Sequence, residues 1–145
     1  MFIGEYHHSL DAKNRIIIPS KFREQLEDTF ILTLAIDNCL AIYAKKQFED
    51  LVNKIAKLPS AAKNVRKYMH LITAKANEVS LDKMGRIQLP SLLKENVGII
   101  KDCAIIGVND HIEIWDKDKW LNYFNESSEN FEDIVESLVD YDEAS

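Results

Sequence analysis

Residues 11–15 read Asp-Ala-Lys-Asn-Arg, and residues 82–86 read Asp-Lys-Met-Gly-Arg. An acid followed four residues later by an arginine supports two kinds of chemistry. The carboxylate of Asp11 or Asp82 can accept hydrogen bonds from the backbone just ahead of it and set a tight turn. The guanidinium of Arg15 or Arg86 is a planar fork that fits guanine O6 and N7 as a bidentate pair. Lys13 and Lys83 lie inside the same turns and bring point charges suited to phosphate. The spacing equally fits a plain ion pair that only sets the turn, and the two readings coexist if the acid orients the arginine. Asn14 and Gly85 hold equivalent places ahead of the arginines, and these residue types best tolerate positive φ. A left-handed backbone position is therefore expected in both turns.

Each turn belongs to a longer phrase. LDAKNRIIIPS at 10–20 returns as LDKMGRIQLPS at 81–91, and residues 9–24 and 80–95 agree at eight of sixteen positions. Such self-similarity marks a duplicated unit. Apolar residues flank each turn, while Pro19 and Pro90 lack the N–H that a central strand needs, so Pro-Ser turns the chain into a short helix. FILTLAIDNCLAIY at 30–43 and CAIIGVNDHIEIW at 103–115 each read as strand, Asp/Asn turn and strand. Helical spacing follows over Lys45–Leu58 and again over Asp116–Phe124. Pro59 breaks the first helix, and Val65, Tyr68, Met69 and Ile72 mark a second.

The expected organisation is a first repeat at 1–51, a helical bridge at 52–79, a second repeat at 80–124 and a helical acidic tail at 125–145. Strands this short cannot bury two faces alone. The units are expected to interleave into one small closed β-barrel with pseudo-two-fold symmetry, an α+β fold that is mainly β.

The net charge of −6 argues at first against a polyanionic partner, but its distribution reverses that. Residues 52–79 carry six basic groups and one acid, whereas residues 125–145 carry eight acids and no base. Without the tail the body is slightly positive. The basic cluster Lys63, Arg66 and Lys67 reads either as a solvated helix face or as a contact for DNA or an acidic partner. The tail's Phe131, Ile134, Val135 and Leu138 make an amphipathic helix that would pack on the body or on a neighbouring subunit.

Enzymatic function is not expected. The four histidines show no metal-ligand spacing, and no phosphate loop, GxGxxG or nucleophile elbow occurs. Cys39 and Cys103 form no CxxC or disulfide framework. No cofactor, small-molecule substrate or membrane partner is expected, and neither a secretory leader nor a membrane helix is apparent. A reduced, cytoplasmic protein fits these features.

The start MFIGEYHHSLDAKNRIIIPSKFRE, the second LDKMGRIQLPSLLKE and the segment IEIWDKDKW at 112–120 resemble the MraZ family of bacterial transcriptional regulators. The resemblance spans about residues 1–124. It implies two SpoVT-AbrB-type domains with swapped hairpins, a ring-shaped homo-oligomer, nucleoid association, and binding to tandem G-rich DNA repeats upstream of the division and cell-wall gene cluster. It points to Arg15, Arg86, Lys13, Lys83 and Asn14 as DNA-binding residues, with Asp11, Asp82 and Gly85 setting the turns. Many relatives carry Gly where this chain has Asn14. A rival reading is an antitoxin-like DNA-binding protein whose acidic tail wraps a partner protein.

Overall fold

The computed structural model describes residues 1–144, with side chains through Tyr141. Its elements run β1 (Phe2–Ser9), β2 (Arg15–Ile17), α1 (Ser20–Arg23), β3 (Phe30–Ala35), β4 (Cys39–Tyr43), α2 (Lys45–Ala56) and α3 (Lys63–Ala74). The same order then repeats: β5 (Asn77–Val79), β6 (Arg86–Gln88), α4 (Ser91–Asn96), β7 (Asp102–Asn109), β8 (Ile112–Asp116), α5 (Lys117–Glu129) and α6 (Phe131–Ala144). Helix α5 runs past the expected end at Phe124. Ser128 Oγ donates to the Phe124 carbonyl and Asn130 Nδ2 to that of Glu126, so the polar Glu-Ser-Ser segment satisfies itself within helical geometry.

The two units exchange strands. Six strands form one antiparallel sheet in the order β1-β7-β8-β4-β3-β5, so each unit's first strand adds to the other unit's hairpin. β1 lies along β7 for eight residues, from Phe2 opposite Asn109 to Ser9 opposite Asp102. Gly4 faces Gly107 in this pair, and a Cβ on Gly107 would run into the backbone of Phe2 and Ile3. The missing side chain lets the two backbones approach that closely.

The short strands β2 and β6 pair with each other as a separate two-stranded ribbon. Ile16 faces Ile87, its own counterpart in the repeat, with Arg15 opposite Gln88 and Ile17 opposite Arg86. The pseudo-two-fold axis therefore passes through the Ile16–Ile87 pair.

Interleaving about a pseudo-two-fold is present, but a closed hydrogen-bonded barrel is not. β1 and β5 are the two ends of the main sheet and do not pair with each other. Each ribbon strand has only three residues before the chain reaches Pro19 or Pro90, which cannot donate to a ladder. The ribbon closes the core by packing instead. Its Ile16, Ile18, Ile87 and Leu89 share one buried cluster with Leu32, Leu40, Ile42, Ile105, Ile112 and Ile114 of the sheet.

Strand alternation sends the intervening side chains to the opposite face. There α3 packs on β3, where Thr33 Oγ1 donates to the Ile72 carbonyl at 2.7 Å. Helix α5 packs on β7 and β8 through Trp115, Trp120 and Tyr123. The ribbon and the long helices thus occupy opposite faces of the sheet.

Candidate nucleic-acid interface

The two turns have the same construction. Asp11 Oδ1 accepts from the backbone N–H of Lys13 and of Arg15, each at 2.9 Å, and Oδ2 accepts from Arg15 Nε at 2.6 Å. Asp82 Oδ1 accepts from Met84 N and Arg86 N at 2.9 Å, and Oδ2 from Arg86 Nε at 2.8 Å. The Asp11 and Arg15 backbones close the turn, with Asp11 N donating to the Arg15 carbonyl and Asn14 N to that of Asp11. Asn14 has φ 59° and Gly85 φ 77°, so both sit in left-handed geometry. Backbone donation from Arg15 holds the Asp11 carboxyl at about 2, and the same interaction with Arg86 lowers Asp82.

Both arginines are held back against the turn. Their side chains are 31% and 21% exposed, and the carboxylates take the Nε edge of each guanidinium. Among the described residues Arg15 Nη1 and Nη2 have no hydrogen-bond partner, so the outer edge of that fork is available. Arg86 Nη1 lies 3.7 Å from Asp11 Oδ2, an ion pair that crosses the pseudo-two-fold and ties the turns together. Lys13 and Lys83 are exposed. They do not occupy matched positions: Lys13 is the counterpart of Met84, itself 67% exposed. The two halves of the face are symmetric in backbone and unequal in charge.

Strand exchange adds two bases that the linear sequence did not single out. Lys94, in the last turn of α4, donates from Nζ to Asn14 Oδ1 at 3.3 Å. Its counterpart Arg23, in the last turn of α1, lies over Gly85, where a Cβ would strike its guanidinium. Each short helix sets a base on the other unit's turn. Arg23 and Lys94 fall at matching places in the repeat, which was the only signal available for them.

The remaining cross-links also join the units. Gln88 Nε2 donates to the Lys13 carbonyl at 3.0 Å, Ile18 N to the Gly85 carbonyl and Leu89 N to the Asn14 carbonyl. The basic cluster Lys63, Arg66 and Lys67 lies on α3, across the sheet from this face. Arg66 Nη1 is engaged by the carbonyls of Ser60 and Ala61.

One other cluster invites chemistry. Glu113 accepts from Trp115 Nε1 at 2.9 Å and pairs with His111 Nε2 at 2.9 Å, with the buried Cys39 beside it. Burial pushes the Cys39 thiol far up, so it stays protonated and is a poor nucleophile. Burial also works against charge on His111, but the Glu113 and Asp110 carboxylates outweigh it and raise that group. His111 stacks on Tyr43 with ring centroids 4.9 Å apart. This network fastens the β7–β8 turn to β4. No group of three His, Cys, Asp or Glu side chains among the described residues is placed to hold a metal ion.

The fold and the paired turns define a duplicated, strand-exchanged protein whose two Asp–Arg turns share one face. A family model with the description "MraZ protein, putative antitoxin-like" matches residues 1–70 and again residues 72–142. The chain belongs to that family. No helix among the described residues is long and apolar enough to cross a membrane.

Proposed function

We propose that the chain is a sequence-specific DNA-binding regulator, not an enzyme, and that the ribbon face is its DNA-binding surface. The observation that carries this reading is the pair of equivalent Asp–Arg turns joined across the pseudo-two-fold by Arg86 and Asp11. A two-stranded ribbon can enter a major groove, as helices do. Each Asp presents its Arg in a fixed plane, which lowers the ordering cost of a bidentate contact to guanine. Lys13 and Lys83, joined by Arg23 and Lys94, supply phosphate contacts around the arginines. Asn14 serves by its backbone geometry and by holding Lys94 in place.

The target that fits best is a row of short repeats in the promoter DNA of the division and cell-wall genes, bound by a ring-shaped homo-oligomer in the cytoplasm at the nucleoid. Residues 1–51 and 80–124 are then the two reading repeats. A duplex carrying such repeats, titrated by fluorescence anisotropy at rising salt, tests the reading. Affinity is expected to fall steeply with salt, because phosphate contacts release counterions. Arg15→Ala and Arg86→Ala are each expected to cost about 1–3 kcal/mol of binding. Folded variants that bind like the parent would reduce the arginines to turn-setting parts.

A second reading has one observation in its favour. The acidic α6 exposes Phe131, Ile134, Val135, Leu138, Val139 and Tyr141, which suits the capture of a partner protein by an antitoxin-like tail. A small stoichiometric partner that co-purifies with the chain and is lost on deleting residues 125–145 would establish it.

A further inference from the structure

The two units repeat the same seven elements, yet their last helices end differently. In the first unit α3 folds back over the sheet and buries Ile72 against β3. Its counterpart α6 packs only lightly on α5, and its apolar stripe of Phe131, Ile134, Val135, Leu138 and Tyr141 is 43–73% exposed. A lone helix of this length is marginal in water, and α6 has no basic residue in its last turn to offset its dipole. A helix of this kind gains most of its stability from a surface that covers the stripe.

The same chain displays such a surface. A groove of about 350 Å³ opens between α3, the β3–β4 hairpin and the end of α4, lined by Leu34, Ile36, Tyr68, Leu71, Ile72 and Val97. Ile36 is 68% and Leu71 55% exposed. Lys67 and Lys75 stand one turn to either side of Leu71 on the same helical face. Along α6 the stripe is flanked by Glu132, Asp133, Glu136 and Asp140, with no base anywhere after Lys119. Apolar stripe meets apolar groove, and the two lysines of α3 beside it suit the acids of α6, against the acid Asp37 between Ile36 and Asn38 at the rim.

We propose that α6 of one copy of this chain docks in the α3–α4 groove of a second copy. The contact is heterologous, because α6 and the groove are different surfaces, so each copy offers one of each and the copies join head to tail. A series of such contacts closes into a ring when the rotation between copies permits. The groove lining includes no residue of the ribbon or of the Asp–Arg turns, although its α4 end lies two residues from Lys94. The inference deepens the homo-oligomeric part of the function proposed above by naming the interface.

Leu138→Asp and Leu71→Asp test it, since both side chains are more than half exposed and neither touches the ribbon. Masses measured by light scattering without DNA are expected to show an oligomer for the parent and a single chain for each variant. Mixed in equal amounts, the variants are expected to form a 1:1 heterodimer and stop there, because one retains α6 and the other retains the groove. Circular dichroism verifies that both variants fold. The inference is overturned by a monomeric parent, which would place α6 on its own chain or on a different protein. It is also overturned if either variant keeps the parental mass, or if the mixture yields no heterodimer. Anisotropy with a duplex bearing one repeat reports the DNA-binding reading separately, since these substitutions leave the ribbon face intact.

Discussion

Replacing Asp11 by Asn separates the two roles of the turn. The Asn side chain keeps an acceptor for the Lys13 and Arg15 amides but gives up the carboxylate that holds Arg15 Nε. Long-range electrostatics alone favours tighter binding to a polyanion after loss of a negative charge. Orientation of the guanidinium by Asp11 requires the opposite. Asp11→Asn is expected to weaken binding to the cognate duplex, and tighter binding would remove the positioning role. The ionised state of this pair is robust. The folded Asp11 carboxyl sits at about 2 against an ordinary 3.8, so its contribution is present above pH 3.8 and is lost as pH falls toward 2. Carboxyl carbon shifts followed by NMR are expected to give that low midpoint, and a midpoint near 3.8 would mean that the turn is not locked in solution.

At the scale of elements, the turn geometry makes an asymmetric demand. Gly85→Ala must hold a side chain at φ 77° and push its Cβ against the Arg23 guanidinium. It is expected to lose about 1–2 kcal/mol in urea unfolding, whereas Asn14→Gly relaxes the matching position at little cost; equal effects would contradict the account. The β7–β8 turn carries a pH signature. His111 is raised by Glu113 and Asp110, so its contribution is complete below about pH 6.5 and is lost as pH rises through the folded value. The midpoint of thermal unfolding is expected to fall over that rise, and His111→Gln is expected to remove the dependence. Much of this scale was legible in advance. The recurrence of Asp, Asn or Gly, Arg and Pro at fixed intervals marked both turns, and apolar alternation marked the hairpins. The closed barrel was the wrong closure, because a pattern of apolar residues does not say whether a three-residue strand joins a ladder or packs across it. Arg23 and Lys94 escaped notice because their partners lie in the other repeat, and only strand exchange brings them onto the turns. The same limit hid the Arg86–Asp11 pair across the units, whereas the pairing of each arginine with its own acid was already one reading of the four-residue spacing.

The whole molecule separates its charge and its surfaces by face. The ribbon side gathers bases on two tied turns, the opposite side carries α3, the groove opens between α3 and the end of α4, and α6 carries acids and no base. Head-to-tail docking of α6 would therefore repeat the ribbon face from copy to copy. Modest contacts at each face would then combine by effective concentration when DNA sites recur at a matching interval. The most direct measurement compares the full chain on two duplexes of equal length, one carrying the proposed promoter repeats in tandem and one with a single repeat retained. The tandem duplex is predicted to bind at least tenfold more tightly, with the gain abolished in Arg15→Ala. Equal affinity for the two duplexes, or a gain that survives loss of the arginine, would contradict the account.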